Sequence, residues 1–299
     1  MDKRIKATVA VILGNSIFGF SFLFSKLALQ YTIPSMLIAV RFTVAFIILN
    51  LIVLVGKQTG KINFSLKGKP KKDILLLALF QPVIFYVAEI YGILYTSSAF
   101  AGAIIAVIPI AGIIFDVLIM KTKVTKKQIF CSVFSVAGVV ITTVGSKDMT
   151  SSVKGIIILL IAVISGAIFY VFSKKSGKYY NSLERTYVMF AVGSVFYIIL
   201  ALIQCMNKYD ELIFTAFKQP VFWGSIMYLS VFSSVFAFLL LNFGSSYISV
   251  SKASLYANIT TVISIVAGVV ILGEVFTIQQ IIGAVIIIIN VYLSSASKA

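Results

Sequence analysis

Apolar residues run along this chain in blocks of about twenty, separated by short clusters of lysine, glycine, asparagine and proline. A block of that length, wound as a helix, crosses roughly 30 Å of hydrocarbon. The pattern predicts spans near 7-30, 36-55, 73-94, 98-119, 127-145, 154-173, 186-205, 219-242, 248-272 and 277-294. The blocks are continuous and lack the in-out alternation of barrel strands, so the expected class is an all-α polytopic membrane protein with ten transmembrane helices. The first block follows Lys3, Arg4 and Lys6, as in a signal peptide. It continues to about Leu29, beyond an h-region of roughly 7 to 15 residues, and reads as a retained first span.

Composition agrees with that reading. Of 299 residues, 60% are hydrophobic and 11% charged, against about 25% charged in soluble domains. The net charge of +16 is a matter of topology rather than of nucleic acid, because the bases lie mostly between apolar blocks. With the N-terminus in the cytoplasm, the inner side collects eighteen of the 25 basic residues, including six lysines between Lys57 and Lys72. Only Lys147, Lys154, Lys208 and Lys218 fall outside, while Lys26, Arg41 and Lys252 lie within spans or at their ends. Both termini are therefore expected inside the cell (inner) membrane. The loop from Gly56 to Lys72 reads as a solvated topology determinant, and the stretch from Asn207 to Gln219 as a short surface helix.

Chemistry is restricted by what the chain lacks. It contains no histidine, which excludes imidazole metal sites, His triads and His proton relays. Cys131 and Cys205 lie in different apolar blocks and read as packing residues. The Gly14 to Gly19 stretch follows no strand and carries no Walker lysine, so it is not a nucleotide motif. No cofactor and no metal is expected.

The chain also resembles itself. The segment from about Thr96 to Thr143 aligns with Ile248 to Ser295 at a shift of 152 residues, so that Thr125 meets Thr277, Gln128 meets Gln280 and Ile129 meets Ile281. Five spans separate matched positions, and an odd number inverts one half relative to the other. The lysines at 121, 123, 126 and 127 have as their counterpart Leu272-Gly273-Glu274, which carries no base. Two inverted five-helix repeats, residues 1-147 and 148-299, follow as the expected organisation, with a substrate site near mid-membrane.

Phe18-Gly19-Phe20-Ser21-Phe22 with Lys26-Leu27-Ala28, then Pro34 and Arg41, resemble the EamA-type branch of the drug/metabolite transporter superfamily. So do Tyr95-Thr96-Ser97-Ser98-Ala99 with Ile108-Pro109-Ile110, read as a mid-helix proline, and Gly273-Glu274 with Thr277, Gln280 and Gly283. The resemblance covers nearly the whole chain and implies ten helices, transport and a central cavity. Phe18 stands where tryptophan is common, and Lys121-Thr122 replaces Gly-Glu in the first half, so Glu274 reads as a helix cap.

Ionisable groups inside a membrane cost at least about 2.5 to 3.5 kcal/mol at mid-helix and usually face a cavity or a partner. Glu89 is the deepest, on a face with Pro82 and Tyr86. It reads as a proton or cation site, or else as a packing carboxyl or an ion pair with Arg41. Arg41 reads as an anchor for a substrate carboxylate or phosphate, or as a snorkelling or packing residue. Asp116 has Lys121 and Lys123 as expected partners. Asn15, Ser21, Tyr170, Tyr228, Tyr256 and Asn258 complete the expected substrate-binding set, since neutral polar groups in a bilayer must find partners. The expected partners are a small-molecule substrate and membrane lipid, not nucleic acid, with a homodimer left open. A secondary carrier, read as an exporter, leads over a membrane enzyme acting on lipid and over a structural or sensory protein.

Overall fold

The computed structural model describes residues 3–95, 104–144, 152–207, 216–272 and 277–295. Among these the ordered elements are helices and turns, with no strand. The helices are α1 (Lys3–Ala28), α2 (Pro34–Gln58), α3 (Lys71–Ala78), α4 (Phe85–Leu94), α5 (Ile108–Leu118) and α6 (Lys126–Val144). They continue with α7 (Val153–Ser176), α8 (Ser182–Asn207), α9 (Pro220–Ser245), α10 (Val250–Leu255), α11 (Ile259–Leu272) and α12 (Ile278–Ser295). By length and composition α1, α2, α7, α8 and α9 are each sufficient to cross a membrane.

Local chemistry sets the ends. Pro34 opens α2, where its missing N–H costs nothing. Helix α8 starts four residues earlier than the apolar pattern predicts, because Asn181 and Glu184 form a reciprocal cap. The Glu184 N–H donates to Asn181 Oδ1 at 2.9 Å, and the Asn181 N–H to Glu184 Oε2 at 3.0 Å.

Three expected spans differ in shape. The block at 73-94 is not one continuous helix: between α3 and α4 the backbone opens at Gln81 (φ −142°, ψ 120°), beside Pro82, which cannot donate to the preceding turn. The face expected to unite Pro82, Tyr86 and Glu89 therefore holds only within α4. In the second case, Pro109 lies in the first turn of α5 rather than mid-helix, after a turn at Ala106 and Val107. Lastly, the block at 248-272 tightens into a 3₁₀ turn at Tyr256–Asn258 between α10 and α11. The surface helix expected near 207–219 falls mostly outside the described residues, as do Glu274 and the Thr96 to Ala99 motif.

Packing joins early helices to late ones. Helix α1 lies against α9 and α11, α2 against α8, α4 against α7, and α6 against α12. One buried cluster accordingly mixes Phe42 with Phe169, Phe190, Phe238 and Tyr256. Without a hydrophobic drive between helices in lipid, close approach depends on small residues. At Gly138 a Cβ would stand 2.9 Å from the Gly283 carbonyl oxygen of the facing helix. Outward faces are apolar, as at Ile157, Ile161, Ile199 and Leu202.

The loop after α2 departs from its expected solvated character. Lys57, Lys61, Lys67, Lys71 and Lys72 are exposed, but Lys69 reaches the carboxylate of Glu184, which is 1% exposed, at 2.8 and 2.6 Å. The Ser65 N–H donates to the same carboxylate at 2.9 Å, and Asn181 Nδ2 donates to Asn63 O at 3.0 Å. Burial, together with Glu184, pushes the neighbouring Tyr180 phenol above its ordinary range, keeping it a neutral donor to Pro70 O.

Two predictions follow from these contacts. Gly138→Val forces α6 and α12 apart and lowers stability by about 1–3 kcal/mol, read as a lower melting temperature of the purified protein in detergent. Glu184→Gln loses the ion pair and frees the loop, so trypsin cuts after Lys61 and Lys67 faster than in the wild type, with the appearance of the fragments followed on gels.

Candidate functional site

Helix α2 carries Arg41 into the interior, where the residue is 5% exposed. Burying a guanidinium requires acceptor partners, and α9 supplies them. Its residues Ser230, Ser233 and Ser234, at i, i+3 and i+4, form one buried face. Arg41 Nε donates to Ser234 Oγ and Nη2 to Ser233 Oγ, both at 2.9 Å, while Ser230 Oγ donates to Arg41 O at 3.0 Å. Here α9 widens into π-type turns over Tyr228–Phe236, a local irregularity that often accompanies functional sites.

Aromatic rings enclose the guanidinium. Its Cζ lies 5.6 Å from the ring centroids of both Phe42 and Tyr86. Tyr86 and the half-buried Glu89 stand one helical turn apart on α4, and both lie within electrostatic reach of Arg41. No ion pair within 4.0 Å joins Glu89 to Arg41 among the described residues. Tyr197 closes the far side, stacking on Phe42 at 5.3 Å. Its one hydroxyl proton is shared between Pro82 O and Val83 O, each at 3.1 Å, beside the break between α3 and α4.

The other expected site residues divide. Tyr228 lies within electrostatic reach of Arg41, stacks on Phe24 at 4.0 Å and donates to Ile17 O at 3.1 Å. Asn15 and Tyr170 are buried beside each other between α1 and α7. Ser21 turns back to Phe18 O of its own helix at 2.7 Å. Tyr256 is fully buried in the 3₁₀ turn, and Asn258 Nδ2 ties that turn to Ser135 Oγ of α6 at 3.0 Å. Arg41, Tyr86, Glu89 and Tyr228 thus converge, Asn15 and Tyr170 pair nearby, and Ser21 and Asn258 act between or within helices.

Asp116 is a correction. Its expected lysine partners are replaced by hydroxyls and an amide: Thr122 Oγ1 donates at 2.9 Å, the Ser251 N–H at 3.0 Å and Ser251 Oγ at 2.9 Å. The fully buried carboxylate therefore pins α5 to the start of α10. Arg185, one of the eighteen bases expected on the inner side, is likewise 1% exposed. It donates to Ser173 O, to Asn242 O and to Ser246 Oγ, joining α7, α8 and α9. The side chain of Lys26 lies outside the described residues.

The family model described as "EamA-like transporter family" matches residues 5–144 and again 153–296. The chain belongs to the EamA-like transporter family. Within this family, a Bacillus subtilis protein named "Uncharacterized transporter YcxC" is 35% identical over 296 residues, spanning 97% of this chain and 92% of its own. An Archaeoglobus fulgidus protein named "Uncharacterized transporter" is 22% identical, covering 97% and 98%. A solved crystal structure aligns with a TM-score of 0.75 at 15% identity and 96% coverage of each chain, a likeness of fold. This EamA-family chain is therefore a polytopic helical membrane protein of a transporter family.

Tyr197, Ser233 and Ser234 are absent from the substrate-binding set expected from the sequence. The available signals were a tyrosine in the middle of an apolar block and the Ser230-x-x-Ser233-Ser234 spacing. Replacing Ser233 and Ser234 together by alanine strips both acceptors from a buried cation. It is expected to cost about 1–2 kcal/mol, measured by thermal unfolding in detergent, with Ser21→Ala as a near-neutral comparison.

Proposed function

We propose that this chain is a secondary transporter of the drug/metabolite type that exports a small metabolite or amino acid by alternating access. The reading takes it as ten transmembrane helices in two inverted repeats, 1-147 and 148-299, in the cell membrane with both termini cytoplasmic. The observation that carries it is the Arg41 cluster: a buried guanidinium held by two serine hydroxyls, with Glu89 nearby yet not paired with it. A cation that keeps donors beyond those two bonds suits an anionic group of a substrate, and a carboxyl not committed to an ion pair suits a proton.

In the proposed cycle Arg41 anchors the substrate's carboxylate or phosphate, with Tyr86 and Tyr228 beside it. Glu89 takes up a proton from one side and gives it up on the other as the halves rock around the site. Substrate and proton shift a two-state population by their differential affinity for the two states. Asn15, Ser21, Tyr170, Tyr256 and Asn258 belong to the surrounding wall. A homodimer is compatible with this cycle, which takes place within one chain.

Purified protein in liposomes, preloaded with a radiolabelled amino-acid mixture and given a pH gradient, tests the reading. Wild-type protein is expected to release label in a gradient-dependent way. Glu89→Gln should lose the dependence on the gradient, and Arg41→Ala should lose transport of the anionic amino acids altogether. Full gradient-driven release by Glu89→Gln would remove Glu89 from the mechanism.

A further inference from the structure

The two faces of α4 do different things. Tyr86 and Glu89 face the Arg41 cluster, whereas Val87, Ala88 and Tyr91 line a recess of about 460 Å³ together with Val83, Ile84, Ile158, Ile161 and Phe196. The recess lies among α4, α7 and α8 and opens on the apolar outer surface, where Ile161 is 45% and Phe196 37% exposed. The hydroxyl of Tyr91 is its one polar side-chain group, and that group already accepts from Gln204 Nε2 at 2.8 Å. What fills such a recess is hydrocarbon.

A charge marks one end. Lys154 lies one turn from Ile158 on α7, and Tyr95 lies one turn beyond Tyr91 past α4. The two meet: Lys154 Nζ sits 4.2 Å from the Tyr95 ring centroid and donates to its hydroxyl at 3.0 Å. Ser152 Oγ fixes the same corner by donating to Tyr95 O at 2.9 Å. The ammonium is thus held at the mouth of the groove rather than free in solution. An ammonium has three donors, and the tyrosine hydroxyl takes one of them.

We propose that this groove is a binding site for one anionic phospholipid. One acyl chain lies along Val87, Tyr91, Ile158 and Ile161, and the lipid phosphate sits on Lys154 at the lysine-poor end of the bundle. Charge complementarity sets the headgroup end and the apolar lining sets the tail end, so neither a free phosphate nor an uncharged lipid meets both requirements. The site backs onto the helix that carries Glu89, on its opposite face, and is separate from whatever occupies the Arg41 cluster.

Native mass spectrometry of the full chain released from detergent tests the assignment. The probes are palmitoyl-oleoyl phosphatidylglycerol, the phosphatidylcholine with the same tails, and glycerol 3-phosphate as the headgroup without tails. Wild-type protein should retain one phosphatidylglycerol at an activation energy that strips phosphatidylcholine, and should not retain glycerol 3-phosphate. Lys154→Gln should lower phosphatidylglycerol retention at least fivefold. Ile161→Trp, which fills the groove at an exposed position, should do the same while leaving the ammonium in place. Lys178→Gln, at the lysine-rich end, should leave retention unchanged. Wild-type retention in both Lys154→Gln and Ile161→Trp overturns the proposal. An equal loss in Lys178→Gln does so as well, since it would reduce the effect to net charge.

Discussion

A backbone amide in hydrocarbon has no water to turn to, and this one constraint orders the molecule. Where the chain runs as uninterrupted helix the requirement is met within the segment. Where it departs from helix, a side chain from another segment completes the count. The Tyr197 hydroxyl is shared between the Pro82 and Val83 carbonyls beside the opening between α3 and α4. The Ser251 amide at the head of α10 is answered by Asp116, 135 positions away. The Asn242 carbonyl near the end of α9 is answered by Arg185. Buried polar side chains are therefore used where helix begins, ends or opens.

The same rule explains which ionisable groups remain available. Asp116, Glu184 and Arg185 are saturated by hydroxyls, amides, carbonyls or, for Glu184, an ammonium. They act as fixed joints between helices. Arg41 is held but not neutralised, because serine hydroxyls accept hydrogen bonds without carrying charge. A guanidinium in such a setting keeps its attraction for an anion, and the low dielectric around it strengthens that attraction. Glu89, on α4, places a carboxyl within reach of Arg41 without an ion pair between them.

Much of the fold could be read from the sequence because the membrane signal is compositional and local. Apolar blocks placed α2, α7 and α9 to within a few residues. The sequence pattern puts Pro82 on one helical face with Tyr86 and Glu89, because periodicity alone carries a face straight across a proline. The start of α8 lies outside the apolar block because the Asn181 and Glu184 cap is polar, and hydropathy stops where the cap begins. The site was legible only in part. Arg41, Tyr86 and Glu89 stood out as polar letters in apolar text, and they do gather. Their partners did not stand out, since Ser233 and Ser234 meet Arg41 across about 190 residues and serine in a transmembrane helix is common. Arg185 is counted among the eighteen inner-side bases on charge alone, and Asp116 is matched to nearby lysines on proximity in sequence. In both cases tertiary contacts supplied neutral partners instead.

The pairing of early helices with late ones bears on how the chain is made. Arg41 leaves the ribosome 193 residues before Ser234. At roughly 5 to 20 residues per second, that interval is on the order of 10 to 40 seconds. During it α2 sits in or beside the membrane carrying a cation whose permanent acceptors do not yet exist, and α1 and α6 wait for α9 and α12. The nascent first half is thus an incomplete solute, sheltered by lipid headgroups, water or the insertion machinery. Assembly of the interior is a late event, and it comes when the second half arrives rather than as each helix enters.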